Sequence, residues 1–406
     1  LTISPGGDDS ASFSDGHIRI RPGTDRFLAA AVIGRWLKSA PVDPLIPERS
    51  RHWRRFRAFF SQWTDADLLA ACDVESRSVE RLLRWYRSEG PTATLVGTGL
   101  QRYRYGGENV RWINALAMIS GNIGRIGAGS YYHLHPYAHL NLDWAESKPA
   151  GSRRSFAKPT LSRQIEEAEN PPVCMAWING INIVNQAPDS GKTARALKKV
   201  PFTVVVDAFL TDTAECADLV LPSTLMLEQE DVVGSFLHDY VQYVPAALQA
   251  PEQARSDDWI VSELSQRLTP KIELPAKQAC LDLSLSSASL NVSLEELKDK
   301  GSVRAGTPAV AYEGLCFDHP DGKYRFPLRL HREPPPPEGY PLRLLSLIRK
   351  DAVHSQILAE DEYPKAEAVQ HLQHRPEPPL EQYEGPVDRH GLGQVRQQEI
   401  PQGDAV

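Results

Sequence analysis

The sequence predicts an α/β protein built on open sheets. Two observations carry that expectation. Short apolar β runs alternate with helical stretches along most of the chain, and two of the runs end in turns bearing glycine or carboxylate, as strands do where an open sheet forms a ligand crevice. The sharper edge is FTVVVDAFLTDTAECADLVLP at 202–222, in which two apolar runs end in Asp207 and Pro222 around a turn carrying Thr211, Asp212, Thr213 and Asp218. The other, WINGINIVNQAPDSG, stands just upstream.

In chain order, LTISP reads as the end of a β-strand and places the true start of the protein upstream of Leu1. PGTDRFLAAAVIGRWL sets Thr24 or Asp25 as N-cap before the stripe Phe27, Leu28, Ala31, Val32 and Trp36, a helix of about three turns. A further helical stretch over 65–88 stops at Gly90-Pro91. TATLVG is a short buried strand, GTGLQRYRYGG the loop at its C-terminal edge, and ENVRWINALAMIS a helix ended by GNIGRIGAG. Residues 129–172 form a long polar connection holding His133, His135 and His139, and connections of that length either serve a site or wander. PVCMAWI, FTVVVD and ADLVLP are strands, with the helix DSGKTARALKKV between the first two. DDWIVSELSQRL is an amphipathic helix with Asp257 and Asp258 placed to favour its dipole. Beyond Thr269 the signal weakens to a small helix, SLEELKDKG, stopped by Gly301, and a hairpin, FDHPDGKYRF, turning at Asp321-Gly322. A stiff proline run over 334–337 follows, then a strand opening at Leu342. The expected organisation is an α/β domain over 1–172, a second α/β half with an irregular extension over 173–333, a linker over 334–340, the start of a further domain over 341–369, and a disordered tail over 370–406.

Composition excludes several classes. The chain has 406 residues, enough for roughly two to three domains. With 41% hydrophobic residues and a net charge of -7 it should fold, and it has no basic surplus to draw nucleic acid or anionic lipid. No apolar run approaches the roughly 20 residues of a membrane span, so no direct membrane insertion is expected. The five cysteines, Cys72, Cys174, Cys216, Cys280 and Cys316, lie too far apart for any CxxC pair and read as buried free thiols.

The loops carry the chemistry. Gly97 and Gly99, then Gly106 and Gly107, let backbone approach a ligand, and Gln101 presents both a donor and an acceptor; tight turning between strand and helix also explains such glycines. The GxGxxG fingerprint is absent. At the second edge Gly180 and Asn182 follow a strand, and Asp207 ends the next one, where a ribose or base edge is gripped or where a carboxylate is simply solvated.

Six motifs in one order carry a resemblance. RPGTD at 21–25, GTGLQRYRYGGENVRWINAL with GNIGRIGAG, GIN ahead of VVVDAFLTDTAECADLVLP, Glu228 behind it, DDW at 257–259 and PLRLLSLIRKDAVHSQ at 341–356 resemble the molybdopterin oxidoreductases of the dimethyl-sulfoxide-reductase and formate-dehydrogenase group over roughly residues 1–360. The resemblance implies doubly wound open sheets followed by the beginning of a β-barrel-type C-terminal domain. It implies a bis-molybdopterin guanine dinucleotide cofactor of molybdenum or tungsten. Gly23, Thr24 and Asp25 would lie against a nucleotide at a helix N-terminus suited to a pyrophosphate. Gly97, Gly99 and Gln101 would approach the pterin, and Gly180, Asn182, Asp207, Thr211 and Thr213 would hold the other nucleotide half. His354, Ser355 and Gln356 match the loop that opens the last domain. Glu228 reads as shaping its own loop.

The chain departs from the family pattern at Ile183, where the family has proline, and at Asp212, where it has glutamate. The family's [4Fe-4S] cysteines and its protein ligand to the metal belong to a region before residue 1, as would any export signal, so no residue here is assigned as catalytic and localisation stays open. Implied partners are a small-molecule substrate, such as formate or a sulfur oxyanion, and an iron–sulfur electron-transfer subunit. The loop histidines line a substrate funnel or are solvated. A cofactor-free scaffold subunit is the alternative, against which the retained PGTD, GxN and HSQ motifs argue; an unrelated nucleotide-binding α/β module is a third reading.

Overall fold

The computed structural model describes residues 1–6, 13–132, 135–145, 154–335 and 338–339. All of these fall in the first of two compact units, Leu1–Ser355. The strand expected at Leu342, the His354-Ser355-Gln356 loop and the expected tail lie outside the described residues.

The chain opens with β1 (Thr2–Ser4) and β2 (His17–Arg19), paired in parallel. Helix α1 (Asp25–Ser39) is longer than its stripe predicts and buries nine residues, including Ala29, Ala30 and Ala31, whose small side chains admit neighbouring helices closely. Then come α2 (Leu45–Glu48), β3 (Ser50–Arg51) and α3 (Trp53–Phe59). The stretch expected to be one helix is two, α4 (Asp65–Cys72) and α5 (Ser76–Tyr86). A Thr64–Asp67 capping box starts α4, and Asp73, in the left-handed region with φ 58°, ends it. That local chemistry outweighs helical propensity across the break.

Strand β4 (Ala93–Leu95) pairs in parallel with β5 (Gly129–Tyr131), and α6 (Gly106–Ile119) crosses between them. The sequence predicts a buried strand at β4; instead Leu95 is 83% exposed, because this sheet has only two strands. Next are α7 (Leu161–Glu166), β6 (Ala176–Asn179), α8 (Ile183–Gln186), α9 (Ser190–Leu197), β7 (Thr203–Asp207) and β8 (Leu219–Pro222). Strands β6, β7 and β8 make an open parallel sheet with β7 central, and its run from Thr203 to Val206 is fully buried, as expected of a β-branched central parallel strand.

Two strands that the sequence reading did not find follow, β9 (Asp231–Val233) and β10 (Tyr240–Val244). After α10 (Asp257–Arg267), α11 (Lys277–Leu285) and α12 (Leu294–Lys300) comes β11 (Ser302–Arg304), which completes an antiparallel three-stranded sheet with β10 central. The last described strand, β12 (Tyr324–Arg325), pairs in parallel with β3. The expected hairpin therefore keeps its turn, where Gly322 N–H donates to His319 O, while its second arm pairs with residues far back in the sequence.

Three hydrophobic clusters result. The largest packs α1, α4, α5 and α6 around Phe56 and Trp112, and Phe326 and Leu330 return to it from the far end of the unit. A second lies between the β9–β10–β11 sheet and α11 with α12, and a third between the β6–β7–β8 sheet and α7 to α9. Of the cysteines only Cys72 is buried, its thiol pushed up to about 12 by burial; Cys174 and Cys316 are exposed, correcting the expectation of buried thiols throughout.

Candidate cofactor-binding site

The predicted site residues among the described residues gather at two edges. At the first, the turn before α1 is bound to the start of α6. Gly23 has φ 74°, and a Cβ there would stand 2.6 Å from the Tyr103 ring, so only glycine fits. Its carbonyl accepts from Asn109 Nδ2 at 3.2 Å and from Arg26 Nη1 at 2.5 Å. Arg26, fully buried, also donates to Asn109 Oδ1, His331 O and Glu333 and pairs with Glu108. Sequence reasoning missed Arg26 and Asn109, because their roles arise only when residues 83 apart meet.

Thr24 sits at the N-cap position, but its hydroxyl donates back to Arg21 O at 2.6 Å and caps nothing. Two amides of the first turn are taken: Arg26 N–H donates to Asn109 Oδ1 and Phe27 N–H to Thr24 O. Asn109 thus occupies one of the amides that a pyrophosphate at this helix start would use. Asp25 keeps an exposed edge while its carboxyl is enclosed by protein, and burial raises its pKa to about 6 against the pull of its own amide and Arg26. A second anion there is disfavoured, and N–H donors are welcome. Gly97, Gly99 and Gln101 lie exposed on the loop before α6, with open space where a Cβ at either glycine would stand.

At the second edge, Gly180 has φ 62°, nothing fills the space beside it, and its N–H donates to Val206 O. It therefore stands opposite Asp207 at the C-terminal end of the parallel β6–β7 pair. Asp207 Oδ1 accepts from Phe209 N–H, which turns the chain outward. Asn182 and Thr213 are buried and joined: Thr213 Oγ1 donates to Asn182 Oδ1 at 2.7 Å and accepts from Val184 N–H. They fasten α8 to the turn after β7, and Thr211 Oγ1 accepts from Ala214 N–H within that turn. Asp257, expected to be a dipole partner of its helix, stands near Asn179 at this edge, and burial and the neighbouring Asp258 and Asp207 raise its pKa against the pull of Asn179. Glu228 accepts from Leu225 N–H and closes its own loop, as expected. No hydrogen bond or ion pair of the site residues joins the two edges among the described residues. His139 pairs with Asp239 at 3.1 Å and His135 accepts from Tyr137 N–H, while His133 lies outside the described residues.

Residues 1–267 match the model of the molybdopterin oxidoreductase family. The chain belongs to that family. A probable oxidoreductase of Bacillus subtilis, YyaE, is 31% identical over 398 residues, covering 91% of this chain and 58% of the relative. The F420-dependent formate dehydrogenase subunit alpha of Methanocaldococcus jannaschii is 25% identical over 295 residues, covering 66% of this chain and 43% of that one. Among solved structures, acetylene hydratase from Pelobacter acetylenicus superposes with a TM-score of 0.64 at 15% identity, over 80% of this chain and 50% of its own, which shows a shared fold. The chain thus spans about half the length of these relatives.

Membership brings a molybdopterin cofactor, and the donor set fits its organic part. A pterin or guanine ring presents N–H and amino donors on one edge, which Asp207 and the amide oxygen of Gln101 can accept, beside Gly97, Gly99 and Gly180, where no side chain fills the Cβ position.

Proposed function

We propose that this chain is the cofactor-cradling part of a bis-molybdopterin guanine dinucleotide oxidoreductase of molybdenum or tungsten. The observation that carries this reading is Gly180 set open and left-handed opposite Asp207 at the C-terminal end of a parallel strand pair, where open α/β sheets hold nucleotides. Asp207 would accept from the base or ribose of one nucleotide half, with Gly180 and Thr211 beside it. Asp25 would accept from the donor edge of the other half, with Gly97, Gly99 and Gln101 closing over the pterin. Asn182 and Thr213 act through the backbone, by holding the turn that aims Asp207. His354, Ser355 and Gln356 would close the cofactor from the following domain.

When bound, the metal supplies two-electron redox or oxygen-atom transfer, and the chain's own task is to bind and orient. Formate or a small sulfur oxyanion is the proposed substrate class, since one relative is a formate dehydrogenase subunit alpha. An iron–sulfur subunit is the proposed electron partner, and a [4Fe-4S] cluster is expected outside this chain's residues.

The test is metal and pterin analysis of the protein purified anaerobically from its own cells, joined to titration of the chain with guanosine, which carries no phosphate. Molybdenum or tungsten with oxidised-pterin fluorescence is expected, together with guanosine binding weakened about tenfold by Asp207→Asn. Absence of metal and pterin would mark a cofactor-free scaffold instead.

A further inference from the structure

A pocket of about 670 Å³ lies where the first turn of α6 meets the segment after β12, and no residue assigned above to the cofactor lines it. Its rim carries Arg104, Arg111, Arg325, Arg329 and His52, and its floor is Phe326, Pro327 and Leu328. One carboxylate, Glu108, reaches it. That carboxylate is already engaged by Arg26, by His331 Nδ1 and by the His331 N–H, so it does not neutralise the rim.

None of the four arginines makes an ion pair among the described residues. Arg111 donates to the Arg325 carbonyl, Arg104 rests near the Tyr105 ring, and Asp321, whose charge Arg325 feels, is bound to Arg51. In a chain with 52 acidic and 45 basic residues, acids were plentiful for balancing this rim, yet four guanidiniums face one cavity without a free one. His52 also lines an adjoining pocket with Arg54, Arg55 and one acid, Glu48, so the net positive charge continues there. A cluster of like charges over an apolar floor is unfavourable alone and becomes favourable around an anion, because low-dielectric walls focus the field and planar guanidiniums bind phosphate oxygens in pairs. Gly107, in the first turn of α6, also lines the pocket and has no side chain to obstruct a ligand.

We infer that this pocket binds a small molecule carrying a di- or triphosphate group. The charge fits a polyanion better than a single carboxylate. The volume fits a ligand larger than free phosphate and lies within the range of small-molecule sites, about 300–1,000 Å³. The site is independent of the cofactor reading, since its determinants are Arg104 and Arg329 and not Asp25 or Asp207.

The test titrates the full chain at low ionic strength with inorganic phosphate, pyrophosphate and ATP, with acetate as the carboxylate control and a single-stranded oligonucleotide as the macromolecular one. Pyrophosphate or ATP should bind one to one, more tightly than phosphate or acetate, and raised salt should weaken it. Arg104→Gln with Arg329→Gln should weaken it at least about tenfold, and Arg104→Lys with Arg329→Lys should restore part of the loss. Asp207→Asn should leave pyrophosphate binding unchanged. Hydrogen exchange on the unsubstituted chain should show pyrophosphate protecting residues 107–111 and 325–329, a readout that needs no variant to fold. Binding indifferent to the arginine substitutions, binding by the oligonucleotide alone, or no binding of pyrophosphate and ATP overturns the inference.

Discussion

Asp25 shows how a residue can be legible in type while its surroundings are not. Its place in a PGTD turn before an apolar stripe marks a helix start, and a carboxylate in a first turn ordinarily helps the dipole. What the sequence does not contain is the enclosure of its carboxyl, which raises the pKa from 3.8 to about 6. The folded chain therefore holds this proton more tightly than the unfolded chain does. That stabilisation is complete below the unfolded value and is lost as pH rises through about 6. Denaturant unfolding of the wild type and of Asp25→Asn from pH 4 to pH 7 should show the wild type losing about 2 kcal/mol relative to the variant, a figure reduced for the solvent at its exposed edge. Parallel pH curves for the two proteins would contradict this. A ligand that donates N–H groups to Asp25 would lower its pKa and shift the same window downward. Arg26 makes the complementary point: beside a recognisable motif it reads as a surface charge, and only the fold shows it buried among Gly23, Asn109 and Glu333.

At the scale of elements, regular features were legible where local chemistry decides them. The helix over Asp257–Arg267, the stop of α12 at Gly301 with φ 71°, and the strands β6, β7 and β8 all lie where composition and turn residues place them. Partnering was not legible. Strand β12 leaves its neighbour and pairs with β3, and the short strands β9 and β10 carry too few alternating residues to register before β11 completes their sheet. The break between α4 and α5 turns on one residue, Asp73, entering the left-handed region. The turn after β7 offers an element-scale test. Thr213→Val deletes the hydroxyl that satisfies both Val184 N–H and Asn182 Oδ1, leaving two buried polar groups unpaired. The expected loss is about 1–3 kcal/mol in urea denaturation, with weaker guanosine binding as the turn bearing Asp207 loosens. A loss below about 0.5 kcal/mol would show that this pair does not hold the turn.

For the whole molecule, stability is distributed unevenly among three clusters. The largest joins α1 and α6 to Phe326 across most of the described chain, with Phe56 and Phe326 stacked at 4.4 Å, whereas the other two serve single sheets. Amides of α1 and α6 should therefore exchange most slowly with solvent water, and those of β6 to β8 sooner, in hydrogen-exchange mass spectrometry of the full chain. Longer protection of β6 to β8 would place the stability core elsewhere. By itself the sequence determined the fold class, the family, the glycine and carboxylate types at both strand edges, and the order in which they come. Those follow from periodicity and turn chemistry, which act between near neighbours. Only the tertiary structure decided that Asn109 takes the Arg26 amide at the start of α1, that Asp257 stands beside Asp207 at one edge, and that four arginines converge on one cavity. The physical reason is that burial, pKa and charge clustering depend on which distant segments meet, and that is set by packing of the whole chain.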